Sequence, residues 1–206
     1  MQEPFPQETP QDDPALVLTM DRQQLLLSLA RNSIAHYLEH AVVPPFSSDD
    51  PALLRLAGVF TTLRLRSGDP SLAYDHLPLR GCMGHIKADT PLARTVQFTA
   101  ARAAGHDPRF EPLPLEDLPK VAIKLSVLSP LYPVNAPHEV TIGKHGLFVI
   151  RGSYQGLLLP EVAPRLGWGF EEWIANLCQK AGLPPDAWPG DAHLFRFETI
   201  DFGEMA

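Results

Sequence analysis

The segment Leu79-Arg80-Gly81-Cys82-Met83-Gly84 holds the residue types best suited to chemistry in this chain. A cysteine attacks as its thiolate, and a neighbouring guanidinium favours that form electrostatically. Arg80 supplies the guanidinium, while Gly81 and Gly84 permit close backbone approach and exposed N–H groups. A thiol site also needs a base. His145, in the tight turn Gly143-Lys144-His145-Gly146, is the candidate, and His85 is nearer in sequence. With Cys82 as nucleophile, Arg80 as anion clamp and His145 as base, the roles fit acyl or similar group transfer through a thioester. The competing reading makes Cys82 a small buried hydrophobe and the glycines packing or turn residues, since free cysteines are among the most buried residue types. A third reading keeps ligand binding without chemistry.

Other residues are weighed in the same way. In Asp107-Pro108-Arg109-Phe110, Arg109 could fork onto a carboxylate or phosphate, but Asp-Pro commonly starts a turn, and Asp107 as a turn cap is the favoured role. Cys82-x-x-His85 has the look of a metal pair. Zinc needs three or four ligands, however, and His138, His145, His193 and Cys178 are scattered singly, so no metal site is assigned. Lys144 reads as a solvated turn residue, and Trp168 and Trp173 as helix-packing anchors. The parallel Rossmann alternative is the weaker one, because neither a Gly-rich dinucleotide fingerprint nor a Walker motif is present, and no cofactor is assigned.

The elements that must position these groups follow from periodicity. Residues 19–41 carry apolar side chains three and four apart, with Thr19 as N-cap and Pro44-Pro45 as the stop. Residues 59–66 alternate as a strand, a polar loop spans 67–76, and residues 77–84 pair back on that strand. Thr90 as N-cap and Pro91 in the first turn open a helix with Leu92, Val96, Ala100 and Ala103 as its buried stripe and Gly105 at its end. Val121, Ile123, Leu125 and Val127 alternate as a further strand. Runs at 139–142, 147–151 and 156–159 predict a small antiparallel meander, and Phe170, Trp173, Leu177 and Ala181 a helix ended by Gly182. Phe195 and Phe197 mark the last strand. Short turns and the absence of strict βαβ alternation predict an α+β fold with an antiparallel-rich sheet flanked by helices.

The 206 residues suit one domain or two subdomains with a shared core. A net charge of −7 without a Lys/Arg block leaves nucleic acid no electrostatic footprint. Two cysteines, no basic-then-apolar start and no apolar run near the roughly 20 residues of a membrane span predict a cytoplasmic protein with no membrane partner. Residues 1–15, rich in proline, glutamine and acidic groups, are expected to be a flexible tail.

Seven motifs in order resemble the AMME chromosomal-region protein family. They are Val59-Phe60-Thr61-Thr62-Leu63, the Arg-Gly-Cys segment, Asp107-Pro108-Arg109-Phe110, Ser126-Val127-Leu128-Ser129, Gly143-Lys144-His145-Gly146-Leu147, Leu157-Leu158-Leu159-Pro160 and Lys180-Ala181-Gly182-Leu183-Pro184. The resemblance covers residues 16–202. It implies a single AMMECR-like domain over 16–206 with a larger and a smaller part. It also implies a role in an AmmeMemoRadiSam-type system, with a Memo-like protein and a radical S-adenosylmethionine enzyme as partners. It supplies no agreed reaction. Two features depart from the family pattern: Lys124 stands where an acidic residue is expected, and the 67–76 loop is longer than usual.

Overall fold

A computed structural model describes residues 16–67 and 73–204, so the expected tail lies outside the described residues. In chain order these form α1 (Met20–His40), α2 (Pro51–Leu54), β1 (Val59–Leu65), β2 (Leu79–His85), α3 (Leu92–Gly105), β3 (Val121–Leu128), β4 (Tyr132–Val134), β5 (Gly146–Arg151), β6 (Tyr154–Leu158), α4 (Val162–Leu166), α5 (Phe170–Lys180), β7 (His193–Phe197) and β8 (Thr199–Gly203). Short 3₁₀ turns lie between several of them. The strands divide between two four-stranded sheets, ordered β2-β1-β3-β8 and β4-β7-β5-β6, which makes an α+β fold. The chain separates into two compact units, the smaller formed by residues 129–199 and inserted between β3 and the end of the larger.

In the larger unit α1 and α3 pack on one face of the first sheet. Leu26, Ile34, Val96 and Ala100 meet Val59, Leu63, Ile123 and Leu125, all fully buried. Alternation along β1 puts Val59, Thr61 and Leu63 on that covered face. Thr19 caps α1 as expected, its side chain accepting from the Arg22 N–H. The helix ends at Ala41, where the apolar periodicity runs out, before Pro44-Pro45. Ala41 adopts a left-handed conformation, φ 59°, and its N–H bonds the Tyr37 carbonyl, so the last turn is closed before the prolines are reached. At the start of α3 the expected cap is also replaced. The Thr90 hydroxyl donates to Asp89 instead, Pro91 occupies the cap position, and the Thr95 hydroxyl bonds the Thr90 and Pro91 carbonyls.

The smaller unit is built on β5, which pairs with β6 on one side and β7 on the other. Residues 139–142 do not form the first strand of a meander. Pro137–Glu139 is a 3₁₀ turn, Gly143 turns the chain at φ 84°, and the Thr141 N–H bonds a side chain rather than a neighbouring strand. The place beside β5 falls to β7. Helix α5 buries Trp173, Ile174, Leu177 and Cys178 against Leu147, Val149 and Leu194. No helix among the described residues is long and apolar enough to cross a membrane.

Candidate functional site

Cys82 stands in the middle of β2, directly opposite Thr62 of β1. The Thr62 hydroxyl and the Cys82 sulfur are 3.4 Å apart, the close side-chain approach expected of a non-hydrogen-bonded antiparallel pair. In such a pair the backbone N–H and C=O point away from the partner strand, and β2 is an edge strand. Both groups are nevertheless engaged. The Cys82 N–H donates to Asp107 Oδ2 at 2.7 Å, and an Arg109 Nη2 donates to the Cys82 carbonyl at 3.5 Å. Asp107 and Arg109 thus take the place of a neighbouring strand and close an edge that would otherwise be open.

The two residues are also locked to each other. Arg109 donates through Nε to Oδ1 at 2.9 Å and through Nη2 to Oδ2 at 2.7 Å, and its backbone N–H reaches Oδ1 at 3.1 Å. The carboxylate is almost wholly buried while the guanidinium is half-exposed. The Arg109 bonds first, with the Cys82 N–H, hold the Asp107 carboxyl down to about 2 against the penalty of burial. Asp107 as a turn residue is therefore correct and incomplete, because the same carboxylate fixes the cysteine's main chain. The Arg109 fork is taken up by Asp107. Arg80 donates to the Glu111 carbonyl at 2.9 Å, and both arginines lie within 6 Å of the Phe110 ring centre, at 5.9 Å for Arg80 and 5.5 Å for Arg109.

The face of the sheet that carries Cys82 is polar. Thr62 is followed across the strands by Lys124 of β3, and Arg64 lies two residues along β1 on the same face. Tyr74 lies against the same strands, its hydroxyl donating to the Thr62 carbonyl at 2.8 Å, and Arg64 sits 5.6 Å from its ring centre. Burial raises the Tyr74 phenol above its usual range, while Arg64 opposes that shift and Cys82 adds to it. Lys124 is 3.7 Å from Asp75.

The two glycines of the motif have different neighbours. A β-carbon on Gly81 would lie 2.1 Å from the Ala103 carbonyl oxygen, so the close backbone approach at this position is that of α3. A β-carbon on Gly84 would meet the Phe60 ring at 2.3 Å. Odd spacing along β2 puts His85 on the opposite face from Cys82, beside the core-packed Met83, and His85 bonds Asp89 at 2.6 Å. Among the described residues no three His, Cys, Asp or Glu side chains cluster as metal ligands.

Arg80, Gly81, Cys82, Gly84 and Arg109 all belong to the larger unit, and His145 belongs to the smaller. His145 Nδ1 accepts the Thr141 N–H at 2.9 Å, so a neutral ring carries its proton on Nε2. That N–H faces the Arg196 guanidinium at 3.1 Å, donor against donor, and the Glu198 carboxylate at 3.8 Å, which is the favourable partner. Burial and then Arg196 hold its pKa below the usual histidine value. Lys144 is an exposed turn residue paired with Glu198. Thr62, Arg64 and Tyr74 are the site residues that local sequence patterns did not single out. Thr62 and Arg64 had one available signal: alternation puts them on the polar face of β1.

An α+β chain with a half-buried thiol fixed through its main chain on an edge strand is the class of protein that fold and site define. The AMMECR1 family profile matches residues 27–202, and the chain belongs to that family. It is 38% identical over 188 residues to a protein of Thermococcus gammatolerans, covering 88% of this chain and 89% of that one. A Methanocaldococcus jannaschii protein, MJ0810, is 36% identical over 196 residues, covering 92% and 93%. The crystal structure of an uncharacterized protein from Pyrococcus horikoshii, PH0010, is similar at 34% identity with a TM-score of 0.81, covering 91% of this chain and 93% of that one.

Proposed function

We propose that this chain is a thiol-dependent group-transfer component that binds and processes a small polar ligand at Cys82. The contrast between its two cysteines carries the reading. Cys178 is fully buried in the apolar core around Trp173 and Leu177, and burial raises its thiol pKa. Cys82 is half-buried on a polar sheet face, with a hydroxyl as its side-chain neighbour and its main chain held by a buried carboxylate. A cysteine kept only for packing needs neither feature.

In the proposed step the Cys82 thiol loses its proton to water and the sulfur attacks an activated carbonyl carbon. A C–S bond forms, the bond to the leaving group breaks, and the leaving group departs with the electron pair and takes up a proton. An amine or water then attacks the thioester and restores the thiolate. When the sulfur is ionised, the Thr62 hydroxyl can only donate to it. Both ring nitrogens of His145 face groups of the smaller unit, and the thiol proton goes to water.

Iodoacetamide labelling at neutral pH, read by mass spectrometry, tests this directly. Cys82 is expected to react in the folded chain while Cys178 stays protected until unfolding. Protection of both would remove the nucleophile.

The motif resemblance supports a place in a cytoplasmic AmmeMemoRadiSam-type system with a Memo-like protein and a radical S-adenosylmethionine enzyme. Cys82→Ala is expected to keep binding those partners and to abolish the activity of the assembled system. Full activity without the thiol would leave a non-catalytic docking module as the reading.

A further inference from the structure

We infer that the Cys82 site takes an anionic electrophile, and that Arg64 is the residue that reads its negative charge. The inference rests on the thiol reading above and names the substrate class of the same site.

The cations around Cys82 differ in how they are matched. Arg109 is forked onto Asp107, Arg66 meets Glu204, and Lys124 faces Asp75. Arg64 has no carboxylate partner among the described residues. Its Nη1 donates to the Leu77 carbonyl at 2.5 Å, and its guanidinium lies by the Tyr74 ring. Its Nε is buried and has no acceptor among the described residues. An unmatched guanidinium with an unpaired buried N–H is destabilising unless something supplies the missing acceptor.

With Nη1 bonded to Leu77 and Nε buried, Nη2 is the guanidinium nitrogen left for a ligand, and nothing among the described residues accepts from it. A carboxylate or phosphate oxygen accepts from such an N–H in a charge-assisted hydrogen bond. The placement also suits a reacting ligand. Thr62 faces Cys82 directly, and Arg64 stands two residues on from Thr62, diagonal to the thiol, with the register shifting just before Arg64 so that its own partner is Leu79. Diagonal neighbours lie about 7 Å apart, which lets an arginine hold an oxyanion whose adjoining carbon reaches the sulfur. Tyr74 donates to the Thr62 carbonyl, and the Arg64 guanidinium lies 5.6 Å from its ring centre.

Two reagents that differ only in charge make the test. Iodoacetate and iodoacetamide present the same electrophilic carbon, one with a carboxylate and one with a neutral amide. Their rates are measured at Cys82 in the folded protein and, as reference, in the same chain unfolded in urea. The ratio of the two rates cancels any change in how much thiolate is present. Charge attraction raises encounter rates by about tenfold or more, and the folded protein is expected to favour iodoacetate over the reference by that order.

Arg64→Gln is expected to bring the ratio back to the reference. A reference-like ratio in the wild-type chain, with Cys82 reacting readily with both reagents, overturns the anion site and leaves the thiol reading standing. A preference that survives Arg64→Gln but is lost in Arg80→Gln overturns the assignment to Arg64. Silence toward both reagents overturns the thiol reading and the anion site with it. Should Arg64→Gln fail to fold, competition in the wild-type chain decides. Sodium acetate, against sodium chloride at equal ionic strength, is expected to slow iodoacetamide at Cys82, and no slowing overturns the inference.

Discussion

Gly81→Ala is expected to destabilise the larger unit by about 3 kcal/mol or more, at the upper end of what overpacking does. The added methyl group would lie 2.1 Å from the Ala103 carbonyl oxygen, far inside van der Waals contact. The obstacle is backbone, in the last turn of α3, so no rotamer change relieves it. Either α3 retreats and opens the core around Val96 and Ala100, or β2 shifts and loses its register with β1. Gly84→Ala supplies the comparison. Its new methyl group would meet only the Phe60 ring, a half-buried side chain that can move, and the expected loss is smaller. Urea midpoints of the two variants check the order, and a Gly81→Ala chain as stable as wild type would mean that α3 does not lie against β2 as described.

The second large effect is expected at Asp107. Asparagine keeps the shape but carries two N–H donors where the carboxylate has only acceptors, so one of its contacts to the Cys82 N–H or Arg109 must become donor against donor. Loss of a buried, hydrogen-bonded carboxylate destabilises by about 2 to 4 kcal/mol at neutral pH, with the half-exposed Arg109 placing this case at the low end. Acid should have the same origin. The folded carboxyl sits at about 2 against an ordinary 3.8, so its contribution is complete above pH 4 and fades as pH falls through 2. That interval corresponds to about 2 kcal/mol before screening is allowed for. Denaturation of wild type and Asp107→Asn between pH 6 and 2 should show the gap between them closing, and a constant gap would exclude the carboxylate as its source. Amide exchange at Cys82 is expected to quicken in the variant at neutral pH, because its N–H loses the acceptor that shields the strand edge.

The sequence by itself determined the elements whose periodicity is long enough to count. α1, β1, α3 and α5 each bury a stripe that periodicity marks, since one helix face or strand face must leave water whatever the fold around it, whereas β3 is buried on both faces except at Lys124. It also put Cys82 on a strand paired with β1, and it set His85 an odd number of residues away. Short elements escaped it. β4 is three residues long, α2 and α4 are four and five, and β8 follows β7 after a single residue, so none carries a pattern of its own.

Tertiary structure alone decided what surrounds the thiol. Thr62 is 20 residues from Cys82 and Asp107 is 25, and their meeting depends on which strands pair, in what register, and which loop closes the edge. None of that is encoded by spacing. The same holds for Gly81, whose role is set by the carbonyl of a helix that begins 11 residues later. It holds also for Arg64, an ordinary outward residue of β1 until Leu77 takes its Nη1 while its buried Nε finds no acceptor among the described residues. Periodicity reports which side of an element is buried, whereas the partner across the strand is fixed only when the chain folds back on itself.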